Sequence, residues 1–209
     1  MIKVARQYGE KGIAGGVRKK ILLTGTCWYE LSGLYHLLSA QEFDVDHALS
    51  GESDVRREPD LIIVALSAEP VAGWGRHLSR VRMLRTKMAG KMLVLVPEKL
   101  KKLNMLQNTC QVYSGCGSVT QLSEYISRIL TYGERPAGEF LLTEGQSRAL
   151  KRLSDRGRDR PLSLKPGERD LYYHYARLAS NVGVKNFRML LMAGLDREIH
   201  EAEGRLCGQ

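Results

Sequence analysis

The sequence has no apolar run of the length needed to cross a bilayer, which takes about 20 consecutive apolar residues in a helix. Its first twenty residues are polar and contain glycine, so they do not have the apolar core of a secretory signal. We therefore expect a cytoplasmic protein. Its length of 209 residues suits two small domains or one large one.

Cysteine is scarce and scattered. The four cysteines are Cys27, Cys110, Cys116 and Cys207. No two of them have CxxC spacing and no histidine cluster lies near any of them, which argues against a zinc site. In a reducing cytoplasm they are expected to be reduced thiols in the core.

The sequence also lacks the common motifs of catalysis and nucleotide binding. Its glycine-rich stretches, residues 12–16 and 115–117, have neither GxGxxG nor GxxxxGK[ST] spacing and are interpreted as turns. No HExxH and no paired carboxylates are present, and the histidines are isolated. We expect no enzymatic activity and no cofactor.

Acidic residues are too few to balance the basic ones, and the formal net charge is +9. The excess lies at the two ends, because residues 1–20 and 146–209 each carry +5 whereas residues 21–145 carry −1. Basic ends suit a chain that meets a polyanion such as nucleic acid, although a generally basic protein has the same charge. Residues 1–19 are predicted to be an irregular basic arm, for which a solvated tail is the simpler interpretation.

Strand and helix patterns alternate along the middle of the chain. The clearest strand is Asp60–Leu66, a continuous run of leucine and β-branched residues typical of a buried parallel strand. The other predicted strands cover residues 20–24, 43–48, 91–96 and 110–113, and the predicted helices cover residues 28–39, 74–88, 99–107 and 119–130. This alternation predicts an α/β domain over residues 20–130, with a five-stranded parallel sheet and right-handed crossovers.

Two stretches of this domain, Ile21–Leu34 and Pro59–Gly73, resemble the receiver domain of response regulators, which implies a flavodoxin-like fold. Receivers bind Mg²⁺ and accept phosphate through acidic residues at the strand ends. In this sequence the resemblance places the acidic pair, the phosphoacceptor, the switch hydroxyl and the phosphate-binding lysine at Gly25 and Thr26, Ala65, Val96 and Gly115. None of these residues has a carboxylate, so we expect a receiver fold without receiver chemistry.

Residues 131–140 contain glycine, proline and charge without an apolar period, and are predicted to link two domains. After them, Leu171, His174, Leu178 and Val182 follow one another at intervals of three or four, which predicts an amphipathic helix that ends at Gly183. A shorter helix follows, as in the back half of a helix-turn-helix reader. An ordinary core helix has the same periodicity.

The residues of this C-terminal part, 141–209, resemble the LuxR/FixJ-type transcription factors. The positions that match the signature of their recognition helix are Leu171, His174, Leu178, Val182, Gly183, Val184 and Asn186. Upstream, Leu142–Leu153 resembles the opening helix of the family. Residues 157–168 depart from it, because Pro161 and Pro166 forbid a long scaffold helix there.

The resemblance implies that the recognition helix enters the major groove of double-stranded DNA. The positions that would read bases are Arg169, Tyr172, Tyr173 and Ala176. The positions suited to phosphate contacts are Lys165, Arg177 and Lys185. Packing against the atypical scaffold is the alternative for the two tyrosines. An apolar stripe in the last predicted helix, Asn186–Ile199, could either form a dimer or lie in the core of its own domain.

Three hypotheses follow. The first is a phosphorylation-independent transcriptional regulator that acts as a homodimer or as a heterodimer with a response regulator, similar to the RcsA- and BglJ-like auxiliary regulators. The second is an adaptor that binds a partner regulator without specific DNA binding of its own. The third is a small-ligand sensor with a pocket at the sheet edge near Gly25, Ala65 and Gly115.

Overall fold

The computed structural model describes residues 18–49, 58–106, 109–132, 140–155 and 169–206. Nearly all of the predicted basic arm, most of the predicted linker and the whole predicted scaffold segment lie outside these stretches. Among the described helices, none is both long and apolar enough to span a membrane.

The core of the fold is a parallel sheet whose strands are β1 Lys20–Gly25, β2 Asp44–Leu49, β3 Leu61–Ala65, β4 Lys91–Val96 and β5 Gln111–Ser114. All neighbouring strands are parallel, and the order is β2-β1-β3-β4-β5. This is the flavodoxin-like order. The central strands β1, β3 and β4 are buried almost throughout, as their apolar runs indicate. The predicted α/β receiver-like fold is confirmed.

Among the described residues of this part of the chain, three helices flank the sheet: α1 Trp28–Ser39, α2 Arg76–Lys87 and α3 Val119–Tyr132. Helices α1 and α3 bury leucine and isoleucine side chains on one face of the sheet. Helix α2 covers part of the other face with Leu78 and Val81. Each face therefore has its own apolar core.

The helix predicted for residues 99–107 is wrong. The connection between β4 and β5 instead forms two short 3-10 turns, Glu98–Leu100 and Asn104–Leu106. Burial of adjacent Met105 and Leu106 together with Leu103 places apolar side chains on more than one side of the segment. A single α-helical stripe cannot present all three to one core, whereas tighter turns can.

The described residues of the C-terminal part form helices α4 Glu144–Asp155, α5 Arg169–Val182, α6 Phe187–Met192 and α7 Leu195–Leu206. The single last helix predicted from the sequence is divided at Gly194, whose φ of 71° lies outside the helical region. Asn186 caps the N-terminus of helix α6, and its side-chain oxygen accepts a hydrogen bond from the Met189 N–H at 2.9 Å.

These C-terminal helices complete the second face of the sheet. Leu178 and Val182 of α5, Leu190 of α6 and Leu195 of α7 are fully buried in one apolar cluster with side chains of β3, β4 and α2. The apolar stripe of the last predicted helix is thus covered by the chain's own core. Of its two alternatives, the structure favours burial over dimerisation.

Candidate nucleic-acid interface

Helix α5 has one buried face and one exposed face. Leu171, Tyr175 and Leu178 lie on the buried face. The opposite face carries Tyr172 and Tyr173, which are 66% and 57% exposed. Ala176 and Arg177 are exposed beside them. Three of the predicted base-reading residues, Tyr172, Tyr173 and Ala176, are therefore accessible. The alternative for the two tyrosines, packing against residues 157–168, concerns a segment outside the described part of the chain.

Close packing against α4 sets the position of α5. A Cβ atom at Gly145 of α4 would overlap the imidazole of His174, so glycine at this position lets the two helices approach each other. The rings of Tyr175 in α5 and Phe187 in α6 stack with their centroids 4.4 Å apart. His174 is therefore a packing residue in this structure.

Gly183 ends α5 with a φ of 89°, a conformation that favours glycine. Its N–H donates to the Ala179 carbonyl at 3.1 Å, and the Val184 N–H donates to the same oxygen at 3.0 Å. Nearby, the Asn181 amide donates to the Leu141 carbonyl at 3.0 Å. The C-terminal end of α5 is thus bonded to the segment that precedes α4.

The predicted phosphate-binding residues Arg177 and Lys185 lie in α5 and in the turn that follows it. Arg177 is exposed, with its guanidinium carbon 5.6 Å from the centroid of the Tyr173 ring. Lys185 is exposed between α5 and α6. Arg169 is the first residue of α5, and its side chain lies outside the described part of the chain, as does the whole of Lys165.

The degenerate phosphorylation positions lie at the carboxyl edge of the sheet, where β1, β3 and β4 end. Gly25 pairs with Ala65 across neighbouring strands, and Ala65 and Val96 are fully buried. A Cβ at Gly25 would lie 2.5 Å from the Ala65 carbonyl oxygen, closer than real Cβ contacts allow. This backbone has no space for an acidic side chain at Gly25.

Sequence reasoning missed a carboxylate at this edge. Glu30, in the first turn of α1, accepts hydrogen bonds from the Ser67 N–H at 3.2 Å, the Ser67 hydroxyl at 2.5 Å and the Ala68 N–H at 3.3 Å. The sequence feature that could have identified Glu30 is its place in the first turn of a predicted helix, where acidic side chains are stabilised. This carboxylate therefore bonds the start of α1 to the loop that follows β3.

A second carboxylate, that of Glu69, lies in the same loop. It lies 3.1 Å from the Arg76 guanidinium and 3.3 Å from the His77 imidazole. A hydrogen bond from Thr26 is the largest cause that holds the pKa of Glu69 below its ordinary value. The loop after β1 and the start of α2 are thus tied together through one side chain.

The loops after β3 and β5 meet directly. A Cβ at Gly115 would overlap the side chain of Ser67, so this glycine leaves room for the contact.

Over the described residues, no group of three or more acidic, histidine or cysteine side chains is arranged to hold a metal ion. The carboxylates that do reach the edge are bonded to the protein itself.

No protein-family model matches the sequence, and no curated protein is significantly similar to it. Among solved structures, the crystal structure of the response regulator DrrB, a Thermotoga maritima OmpR/PhoB homologue, is similar with a TM-score of 0.41 and 13% sequence identity. The similarity covers 81% of this chain and 90% of that chain. A structural similarity of this extent does not indicate a function for the chain.

Proposed function

We propose that this chain is a DNA-binding transcriptional regulator that reads the major groove with α5. The observation that carries the proposal is the two-faced character of this helix, which exposes Tyr172, Tyr173, Ala176 and Arg177 opposite a buried stripe. Its likeness to the LuxR/FixJ-type recognition helix supplies the groove-reading role.

Each proposed contact has a physical basis. Arg169, at the first position of α5, can bind guanine with two hydrogen bonds from its planar guanidinium, and tyrosine hydroxyls can reach base edges or phosphates. Lys185 is suited to a phosphate, which would contribute affinity without sequence preference. Lys165 is proposed for a second phosphate contact and Arg177 for a third.

Regulation without phosphorylation is the second element of the proposal. Ala65 replaces the phosphoacceptor, and the carboxylates of Glu30 and Glu69 are already bonded to neighbouring groups. An acyl phosphate needs a free carboxylate at the strand end. We propose that the protein forms no acyl phosphate. We also propose that it is not an enzyme. In this account the sheet domain serves in homo- or heterodimerisation.

The test is DNA binding by fluorescence anisotropy on genomic fragments over a series of salt concentrations. Arg169→Ala should flatten the preference among fragments, because a base contact is lost. Lys185→Ala should weaken binding to all fragments alike and reduce the slope of log K against log salt by about 0.9. Lys87→Ala, an exposed cation at the end of α2, is the charge-matched control.

Weak binding that is equal on every fragment, and that Arg169→Ala leaves unchanged, would contradict the reader. That result would support an adaptor that binds a partner regulator. One observation favours this second function. Trp28, Tyr29 and Tyr35 on α1 are 56%, 87% and 38% exposed, and aromatic side chains are enriched in protein interfaces.

A further inference from the structure

The sheet domain touches the end of the proposed recognition helix through backbone atoms. A Cβ at Gly183 would overlap the carbonyl of Lys102, which lies in the connection between β4 and β5. The side-chain amide of Asn104 donates to the Asn181 carbonyl at 3.0 Å. Lys102 is therefore held directly against the C-terminal end of α5.

Further contacts fix the orientation of the two parts of the chain. The N–H groups of Gly73 and Gly75 donate to the carbonyls of Met192 and Ala193 at 2.8 Å and 2.7 Å. A salt bridge of 3.0 Å joins Arg82 of α2 to Glu198 of α7. Together with the shared apolar cluster, these bonds hold Lys102 at a constant place relative to α5.

Lys102 and Lys185 both lie near Gly183, one from each part of the chain. Lys185 is two residues beyond Gly183, and two residues span at most about 7 Å. Both lysines are exposed, and within the described stretches neither one has an ion-pair partner. The neighbouring Lys101 differs, because its ammonium pairs with the Glu98 carboxylate.

We infer that the sheet domain itself binds the DNA backbone through Lys102, on phosphates that flank those contacted by Lys185. This inference rests on the proposed DNA-reading function of α5. The base-reading residues of a recognition helix lie towards its N-terminus, so its C-terminal end faces the neighbouring backbone. The ammonium of Lys102, which has no ion-pair partner among the described residues, would displace a counterion from DNA there, and the gain would not depend on sequence.

The experiment compares Lys102→Ala with Lys101→Ala in the full chain. Both substitutions remove one positive charge from adjacent exposed positions, so a long-range charge effect would be the same for both. Anisotropy over a salt series uses the preferred genomic fragment and a scrambled duplex of the same composition. Lys102→Ala should weaken binding to both duplexes and reduce the salt slope by about 0.9, and Lys101→Ala should reduce it less.

The outcomes separate the inference from the function on which it rests. If the native protein prefers its fragment and the two variants have the same salt slope, the role of Lys102 is refuted and the reader stands. If the native protein shows no preference, the reader and this inference both fail. The double variant Lys102→Ala/Lys185→Ala should lower the slope by about twice the single reduction, and a slope equal to that of Lys185→Ala alone would also refute the inference.

Discussion

At the scale of the residue, Gly183 determines three features of the structure. It adopts a φ of 89°, ends α5 and touches the Lys102 carbonyl. The sequence indicated the first two properties, because a glycine after an apolar helical stripe is a common helix end. It did not indicate the third, because contact with a residue 81 positions away depends on how the two parts pack.

Gly183→Ala should destabilise the protein for two reasons. The backbone conformation alone costs about 1–3 kcal/mol for a residue with a Cβ, and the overlap with Lys102 adds to it. Gly33→Ala is the matched control, since Gly33 lies exposed within α1 with open space at its Cβ, and we expect a gain of about 0.5–1 kcal/mol. Urea unfolding measures both, and a Gly183→Ala variant as stable as the native protein would contradict the described contact.

At the scale of the element, the sequence predicted the five strands well, because each central strand is a continuous apolar run. It was wrong for the β4–β5 connection, where the buried side chains do not follow one helical stripe. In α2 the apolar side chain of Met83 is 45% exposed, whereas the neighbouring Leu84 is buried. Local patterns identify an element, whereas the packing of its neighbours decides which side is covered.

The start of α2 should make stability depend on pH through His77, which is 8% exposed. Burial lowers the pKa of His77 below its ordinary value of 6.5, and the nearby Arg76 and Arg80 also lower it, whereas Glu69 opposes them. The unfolded chain therefore binds a proton that the folded chain disfavours. The contribution of His77 to the free energy of unfolding is fully present above about pH 6.5. It falls as the pH decreases from there towards the folded pKa of His77.

His77→Gln should remove this part of the acid-side loss. The measurement is the free energy of unfolding in urea at about pH 7.5 and about pH 5.5 for both proteins. The native protein should lose more stability between the two conditions than the variant, whatever the packing cost of the substitution at the higher pH. Equal losses would show that the imidazole does not titrate differently on folding.

At the scale of the whole molecule, the docking of the C-terminal helices on the sheet was not predictable from the sequence. Residues 20–130 and 141–209 were expected as two domains, and these boundaries stay a prediction. The structure joins the two parts through the backbone of Gly73 and Gly75 and through an apolar cluster. No sequence pattern around Gly73 or Gly75 indicates a hydrogen bond to the distant Met192 or Ala193, so only the fold reveals this arrangement.

We propose sequence-specific DNA binding that does not depend on phosphorylation. Its most direct test is the ratio of the affinities for the preferred fragment and for a scrambled duplex of the same composition. The ratio is measured at constant salt, with and without Mg²⁺ and a small-molecule phosphoryl donor. We predict a ratio of at least about 10³ that is the same under both conditions. A ratio near one, or a ratio that rises with the phosphoryl donor, would contradict the account.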